Sequence, residues 1–278
     1  MNKITNRFKQ PLVSVIIPTF NSESTIYRCI NSVIDQTYSS IEIIIIDDCS
    51  TDETLKKIYE MNLQNVLIIK NDKNQGPSKC RNDGILACSG KYVSILDSDD
   101  FIFQSKIEKQ IDFLENNKKY SVIGTNVIIK KSNDANEILS KRKNSHEEII
   151  KSIFYYNPFC HSSIIFKKKD FLLTEMYNEK IFFGEDHRLI AELLVLGKGY
   201  NIQEFLVKKY EFDGVGISSK ISKYKRIYSL FVNRMFIFDK LNRKKISFVF
   251  LISLLSVISI SIVYILRVNK ELIRSLIK

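Results

Sequence analysis

The sequence predicts an α/β fold, a doubly wound and mostly parallel sheet, on three observations. Apolar runs of strand length recur four times in the first hundred residues. Each of the first three is followed by a segment of helical character, and the second and fourth stop at aspartate clusters. Strands alternating with helices give a parallel sheet covered on both faces.

Leu12 to Pro18 is a β-branched run closed by proline. The polar Asn21-Ser22-Glu23-Ser24 stretch and apolar Ile26, Ile30, Val33 and Ile34 then give a loop and a helix. Ile41 to Ile46 is apolar on both faces, as a buried parallel strand must be, and ends at Asp47-Asp48. Ser50 and Thr51 offer N-cap oxygens to a helix over about 52–62. Val66 to Ile69 predicts a third strand and Gly76 to Cys88 a loop and helix. Tyr92 to Leu96 predicts a fourth strand, ending at Asp97-Ser98-Asp99-Asp100. Such sheets bind ligands beyond the carboxyl ends of their strands, so 11–100 is expected to be a nucleotide-binding half. From Phe103 the pattern is mixed, with helices expected near 104–117 and 184–197 and apolar runs at Val122–Ile129 and Ser163–Phe166. Residues 101–217 are expected to hold the second substrate and to complete one domain with the first half.

The flanks differ in character. Residues 1–10 are polar and basic without an apolar stretch behind them, so no secretory leader is expected. Residues 218–245 read as a basic amphipathic helical segment and 267–278 as a basic tail. Between them, 246–266 is a charge-free stretch flanked by Arg243-Lys244-Lys245 and Arg267, just long enough to span a bilayer. Three readings of Ile246–Leu266 stay open: a membrane span, a helix in the membrane plane, or a helix packed on the domain or a partner.

A chain of 278 residues with 45% hydrophobic and 26% charged residues can bury a full core, which excludes disorder. The net charge of +11 suits anionic partners such as nucleic acid, nucleotide diphosphates or acidic lipid headgroups. No nucleic-acid-binding motif is present, and the acidic strand ends argue against that partner. Cys29, Cys49, Cys80, Cys88 and Cys160 are odd in number and lack C-x-x-C spacing, so reduced thiols in a cytosolic compartment are expected.

Asp97-Ser98-Asp99-Asp100 is the strongest chemical feature. Carboxylates crowded at one strand end repel unless a cation or hydrogen-bond donors compensate them. Mg²⁺ or Mn²⁺ commonly takes one or two carboxylates plus phosphate oxygens of a substrate. The plainer reading is a solvated loop whose aspartates favour a helix N-terminus. Asp47-Asp48 ends the neighbouring strand, where a carboxylate can accept from a base N–H or from ribose hydroxyls. Arg81 offers planar donors to phosphate. Phe20 can stack on a base or belong to the core.

Taken together, several segments resemble glycosyltransferase family 2 over roughly residues 11–215: Val13 to Asn21, Gln36-Thr37-Tyr38, Ile43 to Asp52, Asn74-Gln75-Gly76 with Arg81-Asn82, Gly90 to Val93 and Leu96 to Asp100. The resemblance implies the GT-A fold and a single-displacement, inverting transfer from a UDP-sugar. It implies that Asp48 contacts uracil, that Pro18 and Phe20 line its pocket, and that Arg81 neutralises the departing diphosphate. Asp97, Ser98 and Asp99 would form the D-x-D element, with Asp99 and Asp97 as ligands of Mn²⁺ or Mg²⁺. Phe183-Gly184-Glu185-Asp186 is similar to the family's E-D motif, which makes Asp186 the general base. From the residues alone, an acidic pair opening a helix is equally a cap.

Pro158 to Ser163 resembles a segment of bacterial members that build surface polysaccharide. His161 within it faces the acceptor or is a satisfied core histidine, and Asp100 and Glu185 are further candidate acceptor contacts. The Q-x-x-R-W signature and multi-span region of processive synthases are missing, so repeated addition in one site is not expected. The implied activity moves a hexose or N-acetylhexosamine to a hydroxyl of a polyprenyl-diphosphate-linked saccharide for O-antigen or capsule. Its implied place is the cytoplasmic face of the bacterial inner membrane. A polyprenyl-phosphate sugar synthase is the alternative.

Overall fold

A computed structural model describes residues 10–181, 183–211 and 223–241 of the chain. Strands β1 (Val13–Thr19), β2 (Ile41–Asp47), β3 (Val66–Lys70) and β4 (Tyr92–Ile95) pair in parallel in the order β3-β2-β1-β4. Alternate side chains explain why the first two runs look uniformly apolar. Val13, Val15 and Ile17 of β1 and Ile43 and Ile45 of β2 enter one core, while Ile16, Ile44 and Ile46 enter the other. Helices α1 (Ile26–Ile34) and α2 (Thr54–Glu60) cover the first face and α3 (Pro77–Ala87) the second.

Helix α3 starts with proline at its first turn, behind Gly76 at φ 86°, a backbone region open to glycine at little cost. It lies so close to the sheet that a Cβ on Gly84 would come within 2.5 Å of Ile46 Cδ1 and 2.9 Å of Ile16 Cγ2.

The second half departs from the parallel pattern. Strands β5 (Phe101–Ile102), β6 (Tyr120–Lys131), β7 (Glu137–Ser140), β8 (Ile165–Lys167) and β9 (Lys198–Glu211) extend the same sheet to the order β3-β2-β1-β4-β8-β6-β9-β5, with β7 on β6. Strand β8 runs antiparallel to both β4 and β6, whereas β6 and β9 are parallel along most of their length. One sheet therefore runs through both predicted halves. Helices α4 (Lys106–Asn116), α5 (His146–Ser152), α6 (Lys168–Phe171) and α7 (Glu185–Leu196) pack around it.

Helix α8 (Lys223–Leu241) falls inside the segment expected to be basic and helical, and it packs on α7. Ile237 is fully buried there, and Lys240 Nζ sits 2.9 Å from Glu175 and 3.1 Å from Glu192. The stretch 246–266 lies outside the described residues. Among the described residues no helix is long and apolar enough to cross a membrane.

Candidate active site

The order in which strands are added to the sheet reverses between β1 and β4, and the carboxyl ends of the parallel β1, β2 and β4 open on one edge of the sheet. This is the switch point at which α/β sheets bind ligands. At the end of β2, Asp48 is 4% exposed. Its Oδ1 accepts from Asn71 Nδ2 at 2.9 Å and the Gln75 amide at 2.8 Å, and its Oδ2 from the Gly76 amide at 2.8 Å. The Cys80 thiol is a further hydrogen-bonding neighbour of this carboxylate. Asp48 thus shapes the loop before α3. Pro18 is buried in β1, while Phe20 just beyond it is 45% exposed, which settles its open reading against the core.

The loop after β4 is tied down on every side. Ser98 Oγ lies 2.8 Å from Ser22 Oγ, and the Asp99 carbonyl accepts from Arg28 Nη2 at 2.7 Å. The Arg28 guanidinium in turn stacks 3.6 Å above the Tyr210 ring. Asp100 is 1% exposed and accepts from the Ser162 hydroxyl and, at 3.2 Å, the Tyr210 amide. It therefore anchors the loop from inside.

Three aspartates this close respond differently to their surroundings. Burial disfavours the Asp97 charge, but Arg81 together with His161 and Lys209 outweighs it and holds the carboxyl at about 2. Burial, then the Asp97 charge, push Asp99 up to about 6. Burial, then Asp99 and Asp97, raise Asp100 well above the usual range. Lys209 supplies positive charge nearby. Burial opposes its charge, but its neighbours, including Asp100 and Asp97, lift it above the ordinary lysine range.

Arg81 joins this loop to the second acidic motif. Its Nη2 donates to Asp97 Oδ1 at 2.8 Å and its Nη1 to Glu185 Oε1 at 3.1 Å, with the Arg81 side chain 7% exposed. The expected phosphate donor is thus buried between two carboxylates, because α3 aims its guanidinium at both the loop after β4 and the start of α7. Glu185 is correspondingly a partner of Arg81. Burial, then the neighbouring Asp186, raise its pKa.

Asp186 is the freer carboxylate of the pair. It accepts from Asn157 Nδ2 at 2.8 Å on Oδ2 and from the His187 amide at 2.8 Å on Oδ1. The αL conformation of Gly184, at φ 79°, turns the chain into α7 and presents this side chain. His161 Nε2 is 2.8 Å from the Tyr177 hydroxyl, and its Nδ1 is 4.0 Å from Asp97 Oδ1. Burial, then Arg81, lower its pKa to about 4, and the ring abuts the acidic loop.

The structure brings the predicted residues Asp97, Arg81, Glu185 and His161 into one network, whose supports the sequence did not reveal. Tyr177 is clamped by Asn82, which donates to its carbonyl at 2.9 Å and accepts from its amide at 3.0 Å. Ser162 and Asn157 belong to or adjoin the singled-out Pro158–Ser163 segment, which was the available signal for both. Arg28, Lys209 and Tyr177 carry none.

The comparisons agree with this geometry. The family model described as glycosyl transferase family 2 matches residues 14–173. An uncharacterized glycosyltransferase of Haemophilus influenzae is 33% identical over 220 residues, covering 75% of this chain and 68% of that protein. The Escherichia coli UDP-Glc:alpha-D-GlcNAc-diphosphoundecaprenol beta-1,3-glucosyltransferase WfgD is 28% identical over 220 residues, covering 78% and 82%. In fold, the chain resembles residues 1–349 of Staphylococcus aureus TarS crystallised with UDP-GlcNAc. The TM-score is 0.70 at 21% identity, over 85% of this chain and 68% of that one. With the acidic loops gathered at the switch point of such a sheet, the chain belongs to glycosyl transferase family 2, as a nucleotide-sugar glycosyltransferase of GT-A fold.

Proposed function

We propose that this enzyme transfers a hexose or N-acetylhexosamine from a UDP-sugar to a hydroxyl of a polyprenyl-diphosphate-linked saccharide, inverting the anomeric configuration. The observation that carries the reading is the Arg81 bridge, which sets the acidic loop after β4 beside the turn bearing Asp186. The names of the relatives support the substrate class. WfgD uses UDP-Glc and a diphosphoundecaprenol acceptor, and TarS was crystallised with UDP-GlcNAc. A β-linked product from an α-linked nucleotide sugar is the outcome of one displacement.

In this reading Asp48, at the carboxyl end of β2, meets the uracil N–H, with Pro18 and Phe20 beside the base. Asp186 takes the proton of the acceptor hydroxyl, oriented by Asn157. Arg81 acts through Asp97 and Glu185, keeping Asp97 ionised and both loops in register. The residues also suit Mn²⁺ or Mg²⁺. Asp99 has no ion-pair partner among the described residues, with Arg28 and Lys209 as its nearby positive charges. Asp99 and Asp97 would hold the ion together with donor phosphates, since the described residues contain no group of three His, Cys, Asp or Glu able to hold it alone. When bound, the metal neutralises charge on the leaving diphosphate.

The undecaprenol-linked acceptor of the relative and the apolar 246–266 stretch support work at the cytoplasmic face of the membrane. The test is Asp186→Asn with UDP-sugars and a lipid-linked saccharide. Turnover should fall about 10²–10⁴-fold while donor binding holds, and NMR of the wild-type product should show the inverted anomer. A retained anomer, or an unchanged rate, removes this mechanism. Transfer to polyprenyl phosphate that ignores Asp186→Asn would instead identify a polyprenyl-phosphate sugar synthase.

A further inference from the structure

We infer that Asn233, on the helix after the catalytic domain, is a positioning residue for the turn that carries Glu185 and Asp186. The inference rests on the assignment of Asp186 as the base. Helix α7 begins without a side-chain cap of its own. Gly184 stands in the αL region, and the carbonyls before the acidic pair meet Asn233 of α8. Asn233 is 1% exposed, and its Nδ2 donates to the carbonyls of both Phe183 and Gly184 at 3.0 Å.

The orientation of this amide is fixed by chemistry. Its Oδ1 is buried without a partner, and flipping the group would set three oxygens against one another. The fit is close as well, because a Cβ on Gly184 would come within 2.5 Å of Asn233 Nδ2. Helix α8 is held in place independently of this contact. Ser229 and Ile237 lie one turn before and after Asn233 on the buried face, Phe236 sits 3.8 Å under the Arg188 guanidinium, and Lys240 bridges Glu175 and Glu192. The helix is thus an external brace, and Asn233 is the point at which it grips the catalytic turn. A base displaced by a fraction of an ångström loses its line to the acceptor proton, so removal of the grip is read in turnover rather than in donor binding.

The experiment is a double-mutant cycle on the full chain. Asn233→Leu, which keeps the side-chain size and removes the donor, and Asn233→Ala are each made alone and combined with Asp186→Asn. Ile237→Val serves as a control that loosens α8 without touching the turn. Both Asn233 variants should lower kcat by about 10-fold to 10²-fold with the donor KM unchanged. That loss should vanish in the Asp186→Asn background. Ile237→Val should lower Tm and keep kcat. Equal losses with and without Asp186, or a kcat loss in Ile237→Val matching its Tm loss, would overturn the inference. So would wild-type kcat in both Asn233 variants while Asp186→Asn is impaired. If Asp186→Asn itself turns over normally, the base assignment falls first and the inference with it.

Discussion

Replacing Lys106 with methionine should make the protein more stable, and by an amount that depends on pH. Lys106 opens α4 with no exposed surface, and the one hydrogen bond of its Nζ among the described residues is to Ser94 Oγ at 3.0 Å. Burial lowers its pKa from 10.5 to about 7. The unfolded chain keeps this proton up to about pH 10.5 and the folded chain releases it near 7. Between those values the unfolded state binds more protons and stability rises with pH, and below 7 the full penalty is present. At about 1.4 kcal/mol per pH decade, the penalty is about 5 kcal/mol at pH 6 and about 2 kcal/mol at pH 9. Lys106→Met removes it but leaves Ser94 without a partner, at a cost of about 1 kcal/mol. The net gain should be about 4 kcal/mol at pH 6, shrinking to about 1 kcal/mol at pH 9. Urea unfolding of both proteins across that range measures the difference directly. A gain that does not change with pH would show that Lys106 is charged in the fold, and the argument from burial would fail.

Other perturbations test the site and its frame. Arg81→Met leaves Asp97 and Glu185 unpaired and should destabilise the fold by about 3–5 kcal/mol, seen as a lower urea midpoint, with a weaker donor Kd by calorimetry. Arg81→Lys should recover only part of this, because a single ammonium cannot span two carboxylates in the way the planar fork does. Gly84→Ala drives a methyl into Ile46 and Ile16 and should cost about 1–3 kcal/mol without changing KM for the donor. Treatment with a chelator should abolish transfer, and Mn²⁺ or Mg²⁺ should restore it in wild type but not in Asp99→Ala. Full activity after chelation would remove the metal from the scheme.

Strands β1, β2 and β4 were legible because they are buried on both faces, which leaves apolar runs such as Ile43 to Ile46, and the half-exposed edge strand β3 because its short run Val66 to Ile69 is unbroken. The acidic loop was legible because crowded carboxylates at a strand end demand compensation wherever they occur. Strand β9 was not. Its lysines, its glutamates and the register shifts in its pairing with β6 hide the alternation that identifies a strand. Three-residue β8 carries too little pattern to reveal that it runs antiparallel between β4 and β6. The target of Arg81 was hidden for another reason. Its partners lie 16 and 104 positions away, and an arginine beside a predicted phosphate site looks the same whether it faces phosphate or carboxylate. Asn157 and Asn233 are single amides whose meaning comes entirely from where the fold delivers them.

The place of β8 also bears on how the chain is made. Strand β4, which ends at the D-x-D loop, finds its second neighbour in residues 165–167, while its first neighbour, β1, is complete by Thr19. As the polypeptide leaves the ribosome, the edge of β4 therefore stays open until some seventy further residues have emerged, at a rate of about 5–20 residues per second. An unpaired strand edge is a template for the wrong partner. Ser94, at the last position that pairs with β8, gives the strand a polar position among apolar ones, and Lys91 places a charge just before its start. Truncated nascent chains ending before Ile165 should consequently be held by chaperones and cut by proteases, and chains extended past Lys167 should resist both.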